Sequence, residues 1–381
     1  MSIRSHLLIT LPCLVLAAAC GKKPSPEPTK APVATEPTKA PEPTKAPEPT
    51  KAPEADTTAT PEPTKAPEAD AAAPAPDDAA APAPADDAAA PAPTGPKPVF
   101  DIPGFSTPES VLVGPNAEFY VVSNINGTPL DKDDNGFLSK IGPDGKVIDL
   151  KWIDGAKPEV ELNAPKGMAI VGDALYVADI DTVRFFDLAT GAPKGAVPIP
   201  SATFLNDMHA VADGGWIFVT DSAVGPDFKP KGTPGVFRFR NEKGDQAPTL
   251  LPFEDVGAPN GVFAQSVGGK VTVTINGFDM TKTLRQYPDG ATKPTLIPVP
   301  AGQLDGLEMR MLTAATADSA ADVRWYTSSW ETGAIYEIDA AGKSHEIVSG
   351  LKGPADFTID ATRELVIVPV FLENRVVAYR L

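Results

Sequence analysis

Pro259-Asn260-Gly261-Val262-Phe263-Ala264 is a short polar motif that opens an apolar, strand-like run, and a second β-rich run, Val271 to Ile275, follows it after a turn. The pattern recurs at Pro108-Glu109-Ser110, Pro165-Lys166-Gly167, Leu205-Asn206-Asp207, Leu304-Asp305-Gly306 and Pro354-Ala355-Asp356. Its spacing, roughly 40 to 57 residues, is the period of one four-stranded propeller blade. The innermost strands of a radial propeller all begin on one face beside the axis. Glu109, Lys166, Asn206, Asn260, Asp305 and Ala355, the middle residues of the six motifs, are therefore expected around a single hole.

Between the motifs the chain supplies the remaining strands. Second runs are β-branched or aromatic, as in Phe119-Tyr120-Val121-Val122, Leu175-Tyr176-Val177, Trp216 to Val219 and Leu365 to Val368. Third runs alternate polar and apolar residues, as in Val236 to Phe239 and Ala334 to Ile338. Pro143-Asp144-Gly145, Glu242 to Asp245, Pro288-Asp289-Gly290 and Ala341-Gly342 punctuate them as turns. A fourth strand follows in five blades: Val147 to Leu150, Val197 to Ile199, Thr249 to Leu251, Thr295 to Ile297 and Glu346 to Val348. The sixth blade reaches Leu381 after three strands, and the unassigned run Val99-Phe100-Asp101-Ile102 is expected to complete it. Helical periodicity is nearly absent, so the expected fold is an all-β, six-bladed propeller.

Composition divides the chain into residues 1–20, 21–96 and 97–381. Arg4, the apolar run from Leu7 to Leu16 and Ala17-Ala18-Ala19 before Cys20 read as a secretory signal, too short to span a membrane. The Cys after Ala-Ala resembles a bacterial lipobox, which implies a lipid anchor on Cys20. Gly21, where Asp would retain the protein at the inner membrane, implies the outer membrane with the folded part in the periplasm. With Cys13 in the removed segment and Cys20 acylated, neither of the two cysteines is left for a disulfide or zinc. Residues 21–96 contain no aromatic side chain and repeat Pro, Ala, Glu, Thr and Lys. Such a segment buries too little apolar surface to fold. As polyproline II, at about 3.1 Å per residue, it would form a spacer reaching up to about 200 Å. Residues 97–381 carry 25 Lys/Arg against 37 Asp/Glu. This acidity repels nucleic acid and favours a cation or a small molecule as guest; a monomer is expected.

Glu109 in Pro-Glu-Ser, Asn206-Asp207, Asn260-Gly261 and Asp305-Gly306 together resemble the regucalcin/gluconolactonase (senescence marker protein) family, in order and spacing across the folded zone. That resemblance implies one divalent cation on the axis, bound by Glu109, Asn260 and Asp305, and hydrolysis of a lactone or related ester. It also implies that Asn206 and Asp207 contact the substrate or the attacking water. Two carboxylates and an amide form a hard-oxygen set, better suited to calcium, magnesium or manganese than to zinc, with calcium favoured. Asp305, or Asp207, would then serve as the base. Phe204 stands where the family carries a sugar-contacting Arg. Lys166 enters the ring from blade two, where it would grip an anionic substrate, oppose the cation, or pair with Glu109 and replace it. A water-filled polar plug without metal, in a propeller that only binds ligands or proteins, is the alternative.

Asp131-Lys132-Asp133-Asp134-Asn135-Gly136 matches half a calcium loop but has Gly142 where the bidentate Glu belongs, so a polar rim loop is expected. The loop from Asp221 to Thr233 falls on the site face and could act as a lid, and Trp330 could line the mouth. His209 and His345 are too isolated to form a metal pair, and no nucleophile elbow or phosphate loop is present.

Overall fold

The computed structural model describes residues 96–211, 215–240, 247–314 and 321–381. The signal-like segment, Cys20, the Pro/Ala-rich stretch and the Glu242 to Asp245 turn lie outside the described residues. Within them, 24 strands form six four-stranded antiparallel sheets, the blades of a propeller. No helix among these residues is long and apolar enough to cross a membrane.

Five inner strands begin on their motifs: Pro108–Val113, Pro165–Val171, Leu205–Ala210, Pro259–Val267 and Leu304–Thr313. The sixth does not. In blade six the inner strand is only Thr358–Asp360, because the motif before it bonds to blade one. Asp356 N donates to Glu109 O at 2.9 Å, and Val111 N donates to Asp356 O at 3.1 Å. Those bonds leave Pro354-Ala355-Asp356 joined to neighbouring strands by isolated bridges alone. Closure follows the expected route. Phe100–Pro103 pairs antiparallel with Arg375–Arg380, from Phe100 opposite Ala378 to Pro103 opposite Arg375. The first described strand thus becomes the outer strand of the last blade.

The outermost strands are largely exposed, as in Val147–Asp154 and Pro193–Pro198, and prolines are tolerated there because one edge has no partner to serve. Apolar side chains gather between blades instead. Six clusters fill the six seams, each drawing on two adjacent blades. Tyr176, Phe237 and Phe239 fill the seam between blades two and three. Ile102, Tyr120, Ile367 and Val376 fill the seam where the ring closes. Burying one such side chain stabilises by about 1.5–3 kcal/mol. The seams therefore hold the ring together and fix how closely the inner strands approach the axis.

Candidate functional site

Five of the six motifs are aimed by a break in register. The first two strands of blades one to five slip between Pro108 and Ser110, Pro165 and Met168, Leu205 and Met208, Pro259 and Val262, and Leu304 and Leu307. A bulge of this kind re-aims the side chains it carries. The neighbouring blade then fixes the bulged backbone. Ser222 Oγ and Thr220 Oγ1 donate to the carbonyls of Pro259 and Asn260, both at 2.6 Å. Asn276 Nδ2 donates to Asp305 O at 2.7 Å, and Ser328 Oγ donates to Ala355 O at 3.0 Å. Close approach explains glycine at the third motif position. A Cβ on Gly167 would lie 2.5 Å from Asp207 Cα, and one on Gly261 would meet the Asp305 carbonyl and lie 2.8 Å from Leu307 Cβ.

Carboxylates at the ends of second strands hold the connections leading into the motifs. Asp179 accepts from Asn163 N and Ala164 N, and Asp221 accepts from Thr203 N, Phe204 N and Ala223 N. Asp279 accepts from Ala258 N at 3.4 Å. Their role was not read from the sequence, although Asp at a strand end before a loop is a turn signal.

The motif residues Glu109, Lys166, Asn206, Asn260 and Asp305 all line one cavity of about 980 Å³. All five are buried. One oxygen from each of the three expected cation ligands, Glu109 Oε2, Asn260 Oδ1 and Asp305 Oδ1, is shut from solvent with no hydrogen-bond partner. A buried acceptor left unpaired costs about 1–3 kcal/mol. Two carboxylate oxygens and one amide oxygen in this state line the same cavity, a donor set whose chemistry is compatible with a hard divalent cation. Among the described residues no three His, Cys, Asp or Glu side chains gather as a metal-holding group; the expected set here has two carboxylates and the Asn260 amide.

Electrostatics bears on the same point. Burial, with Asp305 and Asp356 nearby, holds the Glu109 pKa well above the usual carboxylate range, and burial with Asp356 does the same to Asp305. A cation would reverse that preference. Lys166 forms no ion pair with Glu109 among the described residues. Its Nζ donates to Pro129 O and Ala164 O, both at 3.0 Å, and sits 4.6 Å from the Phe204 ring centroid. Burial lowers its pKa to about 8, opposed by Glu109 and Asp179. Asn206 Nδ2 donates to Ser222 Oγ at 3.1 Å.

Asp207 is not with them. It lines a second, smaller cavity of about 250 Å³ with Ser110, His209, Glu308 and Asp356. The bulge sends adjacent residues Asn206 and Asp207 to different cavities. Asp207 Oδ2 accepts from Val262 N at 2.7 Å and Oδ1 from Met208 N at 2.6 Å, so this carboxyl ties blade three to blade four. The expected role of Asp207 as base or substrate contact is corrected on these grounds. Asp356 and Glu308, missed in the sequence, share its cavity. Burial raises Asp356 to about 7, and burial with Asp356 raises Glu308 to about 8. The only advance signal was Asp356 at the motif's third position, the place Asp207 holds in blade three. His209 is neutral, its pKa lowered by burial to about 4, with Nδ1 accepting from Ala264 N and its ring against Phe263.

The Asp131 to Gly136 loop turns its polar groups to internal partners. Lys132 pairs with Asp181 at 2.6 Å, Asn135 Nδ2 donates to Asp133 Oδ2, and Asp134 N donates to Asn163 Oδ1.

No protein-family model matches this chain, and no curated protein matches it in sequence. Solved structures do match in shape. A gluconolactonase from Xanthomonas campestris superposes with a TM-score of 0.52 at 14% identity, over 74% of this chain and 88% of that one. An auxiliary nutrient binding protein from Bacteroides thetaiotaomicron gives 0.52 at 11% identity, over 74% of this chain and 71% of that one. At such identities the likeness establishes the propeller fold alone.

Proposed function

We propose that this propeller is a divalent-cation-dependent hydrolase of a lactone or ester-like small molecule. The observation that carries the reading is the set of three partnerless buried oxygens, Glu109 Oε2, Asn260 Oδ1 and Asp305 Oδ1, in one cavity. A cation held by these residues would polarise the substrate carbonyl and acidify a water beside it. Asp305 takes the proton from the attacking water and returns it to the alkoxide released when the ester C–O bond breaks. Asn206 and Lys166 line the same cavity and contact the substrate, with the Lys166 ammonium favouring the anionic product. The backbone bonds from Thr220 and Asn276 hold Asn260 and Asp305 in place. The Xanthomonas gluconolactonase supports the reading only as a protein of the same fold. The proposal includes a lipid anchor on Cys20 and a periplasmic setting at the outer membrane, carried by the sequence from Leu7 to Cys20 alone.

The test is a panel of lactones and simple esters with calcium, magnesium, manganese or zinc added to chelator-treated protein. Turnover that requires a cation, and that falls at least about 100-fold in Asn260→Ala, is expected, since both binding and orientation are lost. Ligand binding without turnover under every cation would instead make this a non-catalytic binding propeller.

A further inference from the structure

Away from its oxygen cluster the large cavity is walled by aromatic rings. Phe278 meets Trp330 edge-on at 5.5 Å between centroids, and Trp330 meets Phe371 at 5.3 Å. Phe204 lies 6.3 Å from Phe228 on the blade-three side. All five rings line the cavity. The rim continues this character. Phe228, Met280 and Leu372 are 63%, 56% and 61% exposed, and each stands on a loop joining the second and third strands of its blade. Of these three, Phe228 itself lines the cavity, so its exposed ring is apolar surface continuous with the pocket. Apolar surface continuous with an apolar pocket marks a site for an apolar guest.

The blade-three loop presents Phe228 deliberately. Val224 and Pro230 pair as an antiparallel bridge, Gly225 N donates to Lys229 O, and Phe228 N donates to Gly225 O. The resulting tight turn holds Phe228 at positive φ, 56°, and tips its ring over the Phe204 side of the mouth. Polar equipment in the upper wall is sparse. Trp330 Nε1 is shut from solvent with no hydrogen-bond acceptor. A polyhydroxylated guest would leave several hydroxyls against rings that cannot pair with them. A guest with one carbonyl and a hydrocarbon body would satisfy the indole and bury its remainder.

We infer that the cavity accepts a hydrophobic carbonyl compound, a lactone or ester bearing an aliphatic chain or ring, and discriminates against sugar lactones. The hydrocarbon part lies between Phe204, Phe228, Phe278 and Phe371, and Trp330 Nε1 donates to a substrate oxygen. The inference rests on the hydrolase reading for the reactive group, but the binding preference stands independently of turnover.

Competition against Nile red, whose fluorescence rises in apolar sites, tests it on the full-length protein with and without calcium. δ-Decalactone is expected to displace the dye at concentrations where gluconolactone leaves it bound. Phe228→Ser, at an exposed tip, should keep the melting temperature and weaken δ-decalactone about fivefold or more. Trp330→Phe keeps the wall and removes the donor, so δ-decalactone should weaken several-fold while the matching cyclic ether, which lacks the carbonyl, is unchanged. Equal competition by both lactones, or no displacement by either, would overturn the inference, as would unaltered binding in Phe228→Ser. Tight δ-decalactone binding without hydrolysis under any cation would sink the hydrolase reading and leave this one. Turnover of gluconolactone alone would do the reverse.

Discussion

Replacing Asp356 by Asn removes one ionisable group from the smaller axial cavity while keeping its shape. Asp356 is 9% exposed and accepts from Ser110 Oγ at 2.5 Å through Oδ2. Burial raises its pKa from 3.8 to about 7. The folded state thus keeps a proton that the unfolded chain has released, and the sign follows from that difference. The contribution is fully present below about pH 4 and is lost as pH rises through 7, where the folded protein must accept a buried charge. A shift of this size corresponds to on the order of 4 kcal/mol, of which somewhat more than half falls between pH 5 and 8. Glu109, Asp207, Asp305 and Glu308 are all raised by the Asp356 charge, so Asp356→Asn also relieves their shifts, and the difference between the two proteins reports Asp356 together with its coupling to these four groups. Urea unfolding at pH 5 and pH 8, in chelator, is the assay. The wild type should lose more stability than Asp356→Asn across that interval, by roughly 2 kcal/mol. Parallel pH dependences in the two proteins, or a wild type that gains on the variant as pH rises, would refute the burial argument.

Three further outcomes follow from the same geometry. Gly261→Ala would push a methyl group into the Asp305 carbonyl and Leu307, destabilising the fold by about 1–3 kcal/mol. Thermal unfolding should show a melting temperature lower by several degrees, with weaker cation binding in the same sample because the displaced strand carries Asp305. Lys166→Met removes a positive charge from the cavity that holds Glu109, and calcium affinity at pH 7 should tighten by roughly fivefold, on the order of 1 kcal/mol, as read by calorimetric titration. Deleting residues up to Pro103 strips the outer strand from blade six and uncovers the edge of Arg375–Arg380; this should lower the melting temperature by more than 10 °C, as roughly expected for loss of several buried side chains, or yield aggregated protein by edge pairing.

The propeller was legible because its evidence is periodic. Six motifs, the alternating third strands and the orphan run at Val99 to Ile102 all pointed to the same closure, and the structure has it. Turn and strand chemistry is local, so it survives in a single sequence. The exception at Pro354-Ala355-Asp356 turns on Asp356, whose backbone bonds to Glu109 and Val111 of blade one, a partner some 245 residues away that no local pattern encodes. The meeting of Glu109, Asn260 and Asp305 at one cavity was readable for the same periodic reason. What was not readable was direction within a motif. Asn206 and Asp207 are neighbours in sequence, yet the bulge between Leu205 and Met208 divides them between two cavities. The aromatic wall was only partly legible: Trp330 was expected at the mouth and lines the cavity, while Phe278 and Phe371, which like Trp330 directly follow the second strand of their blades, went unnoticed because that position lies outside the six motifs. In sequence Phe204 stands out only as a missing arginine, whereas in three dimensions it is part of the cavity wall.

Calcium titration into chelator-treated protein by isothermal calorimetry addresses the central claim most directly. The account predicts one ion per chain, with affinity reduced at least about 100-fold in Asn260→Ala, because removing one of three protein oxygens also unsettles the Asp305 carboxylate beside it. Heat that shows no ion bound, for calcium and likewise for magnesium and manganese, or an Asn260→Ala protein that binds as tightly as the wild type, would contradict it.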